Sequence, residues 1–446
     1  MIITLLGKGF KTDEDKRALY SFDESLSKKF ELKDKQNYTN MLPLLIDTFK
    51  DREIVPIFTK EAKETQQVVL NDEFNNRYDE LFKDECFIES TEDFASILRV
   101  LNGAINQNRP YIIDLTHSFR HLPILATISL IANHITDTSR VEHIFFAKEI
   151  TQATKETIGK YQIIDLKEYL ELANLSMMLS TFNQNYTVST NIKFTNPLYQ
   201  EIAKELTDFS NHFLSNSLKP LIEGELIRNI IDNLEDLQKN KTVENFKHYI
   251  QEIIEHLKDI RQLKYENDYM KLYKLSKVMD NRGYQLNAIT LLFEAVGVYC
   301  LDSISKLDIV AKRTEEYNEY ILNKKKPIHI YSTYTMVNQS RVIVKVRDGF
   351  KINDKDKRVF INSDKMKELI VEYLNSVKDL EKFKSFIESL EGLRNNLAHG
   401  NTSFSLKNVK SSYEQNLKKF EKFIIDEKIL TFKKKSNIER LNNKWQ

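Results

Sequence analysis

The sequence predicts an α/β domain followed by an all-α domain, and three observations predict it. Short apolar, β-branched runs alternate with amphipathic stretches as far as residue 166. Beyond that point the pattern takes on helical spacing. Only 10 glycines and 7 prolines punctuate 446 residues, which leaves few breaks in long helices. A chain of this length exceeds one ordinary core, so two or three domains are expected.

The strand candidates are MIITLL (1–6), EIVPIFT (53–59), YIIDLT (111–116), EHIFFAK (142–148) and YQIIDL (161–166). They are apolar on both faces, as buried parallel strands are. Between them lie helical patterns: NYTNMLPLLIDTFKD, QQVVLNDEFNNRYDELFKD, TEDFASILRVLNGAI and LPILATISLIANHI. This βαβα order predicts a doubly wound, Rossmann-like sheet over 1–166. A helical connector is expected over 167–275, starting DLKEYLELAN, and a second helical domain over 276–446. Near 324–360 a basic insertion with strand-like alternation, KKKPIHIYSTYT and RVIVKVRDGFKINDKDKRVF, interrupts the helices.

Composition narrows the function. Apolar residues make up 41% and charged residues 29%, as in a soluble globular protein. A net charge of +1 excludes a basic coat for nucleic acid, so any nucleic acid needs a local patch. The two cysteines, Cys86 and Cys300, exclude a disulfide framework or a cysteine-rich zinc site and suit a reducing cytoplasm. No secretory signal peptide, membrane span or resident metal is expected.

Two clusters carry chemistry. In open parallel sheets, ligands bind beyond the carboxyl ends of strands. Gly7, Lys8, Gly9 and Phe10 follow the first strand candidate, and Thr59 follows the second. Thr116, His117, Ser118 and Arg120 follow the third, with Pro123 suited to the first turn of the next helix. Free backbone N–H groups, hydroxyls and a guanidinium suit phosphate oxygens. The full G-x-G-x-x-G dinucleotide fingerprint is absent. In a purely structural reading, His117 and Arg120 would cap a helix and pair with an acid.

The second cluster is RNNLAHG (394–400), at the end of a helix whose apolar stripe is Leu380, Phe383, Phe386, Ile387, Leu390, Leu393 and Leu397. Arg394 and His399 fall about 140° apart around that helix, so they border one groove. Asn395 and His399 share a face, and Gly400 reads as the residue that ends the helix. Histidine suits acid–base work near neutral pH, arginine suits a dianionic transition state, and asparagine can orient a phosphate or ribose hydroxyl. RNA brings its own nucleophile, the 2′-OH. Two copies across a two-fold axis would supply both an acid and a base. The bland alternative pairs Arg394 with Glu391 and leaves His399 as a helix cap.

YIIDLTHSFRHLP resembles the ligand-binding signature of CARF domains, the CRISPR-associated Rossmann fold. RNNLAHG resembles the R-x-x-x-x-H signature of HEPN ribonucleases, and GYQLNAITLLFEAVGVY (283–299) resembles the other long helix of that domain. The order, sensor first and nuclease last, is also similar. The resemblance implies a homodimer or higher oligomer of type III CRISPR antiviral defence. A cyclic oligoadenylate would activate it, with cyclic tetra-adenylate preferred over cyclic hexa-adenylate, and no cofactor is implied. It would cut single-stranded RNA without a metal to leave a 2′,3′-cyclic phosphate. Arg394, Asn395 and His399 would be catalytic. Gly7, Lys8, Gly9, Phe10, Thr59, Thr116, His117, Ser118 and Arg120 would contact the cyclic nucleotide, although many relatives carry glycine where Ser118 stands.

Lys324, Lys325, Lys326, Arg341, Lys345 and Arg347, with Tyr331 and Tyr334, read as an RNA-binding patch or as a solvated surface. Two other functions stay open. One is a sensor that controls a partner or gene and has an idle helical domain. The other is a sensor that also cleaves its own cyclic ligand.

Overall fold

Ile2–Leu5 (β1) is buried along its whole length and pairs in parallel with a strand on each side. Its partners are Ile54–Ile57 (β4) and Tyr111–Asp114 (β5), both fully buried. The computed structural model describes residues 1–7, 17–32, 37–106, 108–117, 121–152, 154, 157–324, 333–347, 359–400, 405–431 and 435–443.

The remaining strands are Ala18–Phe22 (β2), Asn37–Tyr38 (β3), Val141–Thr151 (β6) and Lys160–Asp165 (β7). Among the described residues they form one sheet in the order β3-β2-β7-β6-β5-β1-β4. The sheet is mixed, which corrects the parallel expectation. β6 runs antiparallel to β7, and β2 runs antiparallel to β3. For β6 and β7 the physical reason is connection length. A parallel crossover takes a dozen or more residues, and residues 152–159 are too few. β4 is an edge strand, which is where Pro56 costs no ladder hydrogen bond.

The helices over this stretch are Glu24–Ser27 (α1), Met41–Thr48 (α2), Lys60–Phe74 (α3), Phe94–Ile105 (α4) and Leu122–His134 (α5). α2 to α4 begin at Asn40, Thr59 and Asp93, whose side chains accept a backbone N–H of the first turn. α3 stops at Asn75 in the left-handed region, φ 53°, short of the helix expected to run to residue 84. One core joins Ile3, Ile113, Phe145, Leu45, Ile97 and Leu122.

Among the remaining described residues the regular elements are helices: Lys167–Asn185 (α6), Pro197–Leu214 (α7), Leu218–Ile222 (α8), Leu226–Leu237 (α9), Lys247–Gln262 (α10), Asp268–Asn281 (α11), Gln285–Ile304 (α12), Asp308–Asn323 (α13), Tyr334–Val346 (α14), Asp364–Asn375 (α15), Leu380–Ala398 (α16), Leu406–Phe420 (α17) and Lys435–Asn443 (α18). The chain separates into two units. One is Met1–Asn183 with Thr187–Thr207 and Asp232–Gln251; the other is Gln184–Tyr186 with Asp208–Ile231 and Glu252–Gln446. Helices of the expected connector are shared between them. In the second unit α12 packs against α11, α14, α16 and α17. It is long and apolar enough to cross a membrane, but it is mostly buried within its unit. A helix apolar all round is what a core position requires.

The basic insertion is the main departure from the expected secondary structure. RVIVKV belongs to α14, not to a strand, and Met336, Val337, Ser340, Arg341, Ile343 and Val344 are buried at helical spacing.

Candidate functional site

The first cluster sits where the sheet changes direction. From β1 the chain passes through β2 and β3 before it reaches β4 on one side of β1, and from β5 it connects to β6 on the other. Such a switch point opens a crevice beyond the strand ends. Gly7, Thr59, Thr116 and His117 follow the adjacent strands β1, β4 and β5, so the sheet brings them to one end. Lys8, Gly9, Phe10, Ser118 and Arg120 lie outside the described residues.

Asp114, the last residue of β5, organises this end and was not among the expected site residues. It is fully buried. One carboxylate oxygen accepts from Thr4 Oγ1 at 2.8 Å, and the other from Thr116 Oγ1 at 2.6 Å and Thr116 N at 3.1 Å. Thr116 Oγ1 also accepts the Ala147 N–H at 2.9 Å, so this hydroxyl ties β5 to β6. Thr59 is buried, and its hydroxyl accepts the Ala62 N–H at 3.3 Å. Both threonines therefore hold the loops in place. His117 is half-buried, and its Nε2 is shielded from water with no hydrogen-bond partner among the described residues. Burial holds this imidazole below its ordinary pKa, against the pull of Asp114. Burial likewise pushes Asp114 above the usual carboxylate range, against its hydrogen bonds.

The second cluster lies on the last turns of α16. The buried stripe of that helix ends at Leu393. Arg394, Asn395 and Leu397 are half-buried, whereas His399 and Gly400 are exposed. Gly400 has φ +103°, a conformation that favours glycine and ends the helix. His399 is the capping residue, and its N–H donates to the Asn395 carbonyl at 3.0 Å.

Arg394 Nη1 donates to Asn395 Oδ1 at 2.9 Å. Its guanidinium carbon lies 5.6 Å from the centre of the Phe293 ring, on α12. No carboxylate among the described residues lies within ion-pair distance of Arg394. Glu391, the acid expected to take it, pairs with Lys345 at 2.6 Å.

Of the six basic residues expected to form a patch near 324–360, Arg341, Lys345 and Arg347 make contacts within their own unit. Lys324 is exposed, and Lys325, Lys326 and Tyr331 lie outside the described residues. Arg341 is a correction: it is 3% exposed and cannot reach a ligand at the surface. Its guanidinium stacks 3.5 Å from the Phe293 ring centre and donates to the Phe293 carbonyl at 3.3 Å and Asn338 Oδ1 at 3.0 Å. Burial lowers the pKa of Arg341, though a guanidinium stays charged. Lys345 and Arg347 pair with Glu391 and Glu381, each at 2.6 Å. Tyr334 is exposed at the start of α14. The sequence pattern held no signal for Phe293 as a shelf under Arg394.

Among the described residues no group of three or more His, Cys, Asp or Glu side chains is placed to hold a metal ion. Cys86 and Cys300 are free and buried, and burial pushes the Cys300 thiol up to about 12.

The fold and its two clusters define a class: a mixed α/β sheet with polar residues beyond the ends of adjacent strands, followed in the chain by a helical unit in which one helix ends on an arginine and a histidine. No family model matches the sequence, and no curated protein matches it. Among solved structures the chain is similar to Enterococcus italicus Csm6 bound to cyclic hexa-2'-fluoro-hexa-dAMP, at 10% identity and a TM-score of 0.31. That match covers 99% of this chain and 97% of the other.

Proposed function

We propose that the chain is an endoribonuclease switched on by a cyclic oligoadenylate, acting as a homodimer on single-stranded RNA. One observation carries the reading. At the end of α16, Arg394 has no carboxylate partner among the described residues, contacts Asn395 and shares the last turns of the helix with His399. An arginine without a counter-ion is poised for a phosphate.

In the reaction the 2′-oxygen attacks the adjacent phosphorus, and the P–O5′ bond breaks. The products are a 2′,3′-cyclic phosphate and a 5′-hydroxyl. His399 moves the proton, either from the 2′-OH or onto the leaving 5′-oxygen, and two copies in a dimer cover both tasks. Arg394 offsets the charge that develops on the phosphorane, and Asn395 orients it. The ligand belongs in the crevice beyond β1 and β5. There His117 Nε2 offers a shielded polar atom, and Asp114 fixes the flanking threonines. A ring of near-two-fold symmetry suits a dimer axis. It can activate only by favouring the arrangement in which the helical sites cut.

The test is cleavage of a fluorescent single-stranded RNA in EDTA, with no ring, cyclic tetra-adenylate or cyclic hexa-adenylate. Cleavage that needs a ring and falls by about 10²–10⁴ in His399→Ala is the expected result. Equal cleavage with and without both rings would refute the activation, and an unimpaired His399→Ala would refute the site.

A further inference from the structure

Glu391 is three residues before Arg394 on α16, the spacing at which an acid and a base on a helix meet. Left alone, that carboxylate is the nearest natural counter-ion for Arg394. It is not left alone. Lys345, from α14, holds Glu391 Oε2 at 2.6 Å, and both side chains are partly buried. Arg394 turns instead to Asn395 and the Phe293 ring.

Lys345 is in turn fixed by how α14 lies on α12. Gly297 permits a close approach: a Cβ there would meet Val337 Cγ1 at 2.5 Å and Arg341 Nη1 at 2.8 Å. One turn before Lys345, Arg341 clamps Phe293 through both its carbonyl and its ring. α14 therefore acts twice on Arg394: it steadies the ring beneath it and removes the acid beside it.

We infer that Lys345 is a positioning residue that sequesters Glu391, so that the Arg394 guanidinium stays open to a phosphate. The inference rests on the ribonuclease reading for its kinetic consequence, but not for its structural one. Freed from Lys345, Glu391 would neutralise Arg394 and repel the scissile phosphate.

The kinetic test uses the full chain with activating ring and RNA. Lys345→Met is expected to lower kcat about five- to tenfold with KM changed less than about twofold. Lys345→Met with Glu391→Gln is expected to recover most of the loss, and Glu391→Gln alone to cleave normally. A direct RNA contact by Lys345 predicts the reverse: a raised KM and no recovery in the double variant. Either of those results overturns the inference. A second measurement stands apart from activity. In 15N-arginine-labelled chain, the Arg394 Nε–H signal is assigned by its loss in Arg394→Lys. Lys345→Met should slow its exchange with water as the new ion pair forms, and adding Glu391→Gln should reverse this. If the wild type cuts no RNA with either ring, the ribonuclease reading fails while this signal still decides the inference. An Arg394 signal unmoved by Lys345→Met overturns it.

Discussion

Gly297→Ala should destabilise the helical unit even though alanine is the better helix former. In the middle of α12 the exchange gains about 1 kcal/mol of helix propensity. The new methyl, however, lands 2.5 Å from Val337 Cγ1 and 2.8 Å from Arg341 Nη1, well inside contact distance. Neither neighbour yields easily. Val337 is β-branched and buried in α14, and Arg341 is pinned on the Phe293 ring and carbonyl. Two overlaps this deep put the cost in the upper part of the roughly 1–3 kcal/mol range for overpacking, at about 2–3 kcal/mol, so the net loss is about 1–2 kcal/mol. In a unit of about 200 residues that lowers Tm by roughly 2–4 °C per kcal/mol. The assay is thermal and urea unfolding beside Gly392→Ala, a helical glycine in α16 whose Cβ would meet nothing within 4 Å. Gly392→Ala should stabilise by up to about 1 kcal/mol. Val337→Ala added to Gly297→Ala should relieve the overlap, leaving the pair less destabilised than the two single costs sum to. A Gly297→Ala protein as stable as wild type would refute the close packing of α12 on α14.

Glu171 is a buried acid that accepts from Thr138 Oγ1 at 3.0 Å, Thr195 N at 2.9 Å and Asn196 N at 3.0 Å, and from the Thr195 hydroxyl. Glu171→Ala strands all these donors, and urea unfolding should show a loss of about 3–5 kcal/mol. Gly400→Ala must adopt φ +103° and should cost about 1 kcal/mol, read by thermal unfolding. His134 is held neutral between the Tyr111 hydroxyl at 2.7 Å and the Asp137 carbonyl at 3.0 Å. Burial lowers its pKa below the ordinary 6.5. A lowered pKa gives stability that is present above 6.5 and lost as pH falls through the folded value. Wild type should therefore lose more stability than His134→Gln between about pH 7.5 and 5.5, and parallel losses would refute this.

β1, β4 and β5 were legible because each is a short run buried along its whole length, and β6 and β7 because β-branched and aromatic residues stand among their polar positions. β2 and β3 were not. ALYSF sits in a charged stretch and is buried at only two of its five positions, and β3 is two residues defined by their pairing alone. The antiparallel β6–β7 pair was within reach of sequence reasoning, since the eight residues between Thr151 and Lys160 are too few for a crossover. α14 misled for a chemical reason. RVIVKV alternates like a strand, and its helical stripe appears only if Arg341 is counted with the buried positions. A sequence shows that arginine as charge; the fold shows it as a planar group laid on an aromatic ring. The same limit hid the partners of Lys345 and Arg347. Glu391 and Glu381 are 46 and 34 residues away along the chain.

The position of RNNLAHG was legible, and the structure supplies the reason for it. The packed stripe of α16 stops at Leu393, but the helix continues to Ala398. Over that last stretch the backbone stays fixed by helical hydrogen bonds while the side chains leave the core. Residues there are held in direction yet open to solvent, which is what acid–base and phosphate chemistry on a large substrate requires. Burying them would desolvate the arginine, and placing them on a loop would lose their spacing. The cost of the arrangement is that no carboxylate among the described residues holds Arg394, so its orientation depends on Asn395 beside it and on neighbours outside α16: the ring of Phe293 and the lysine that occupies Glu391. The chemistry proposed for the motif is thus written in seven consecutive residues, while the placement of Arg394 depends on α12 and α14.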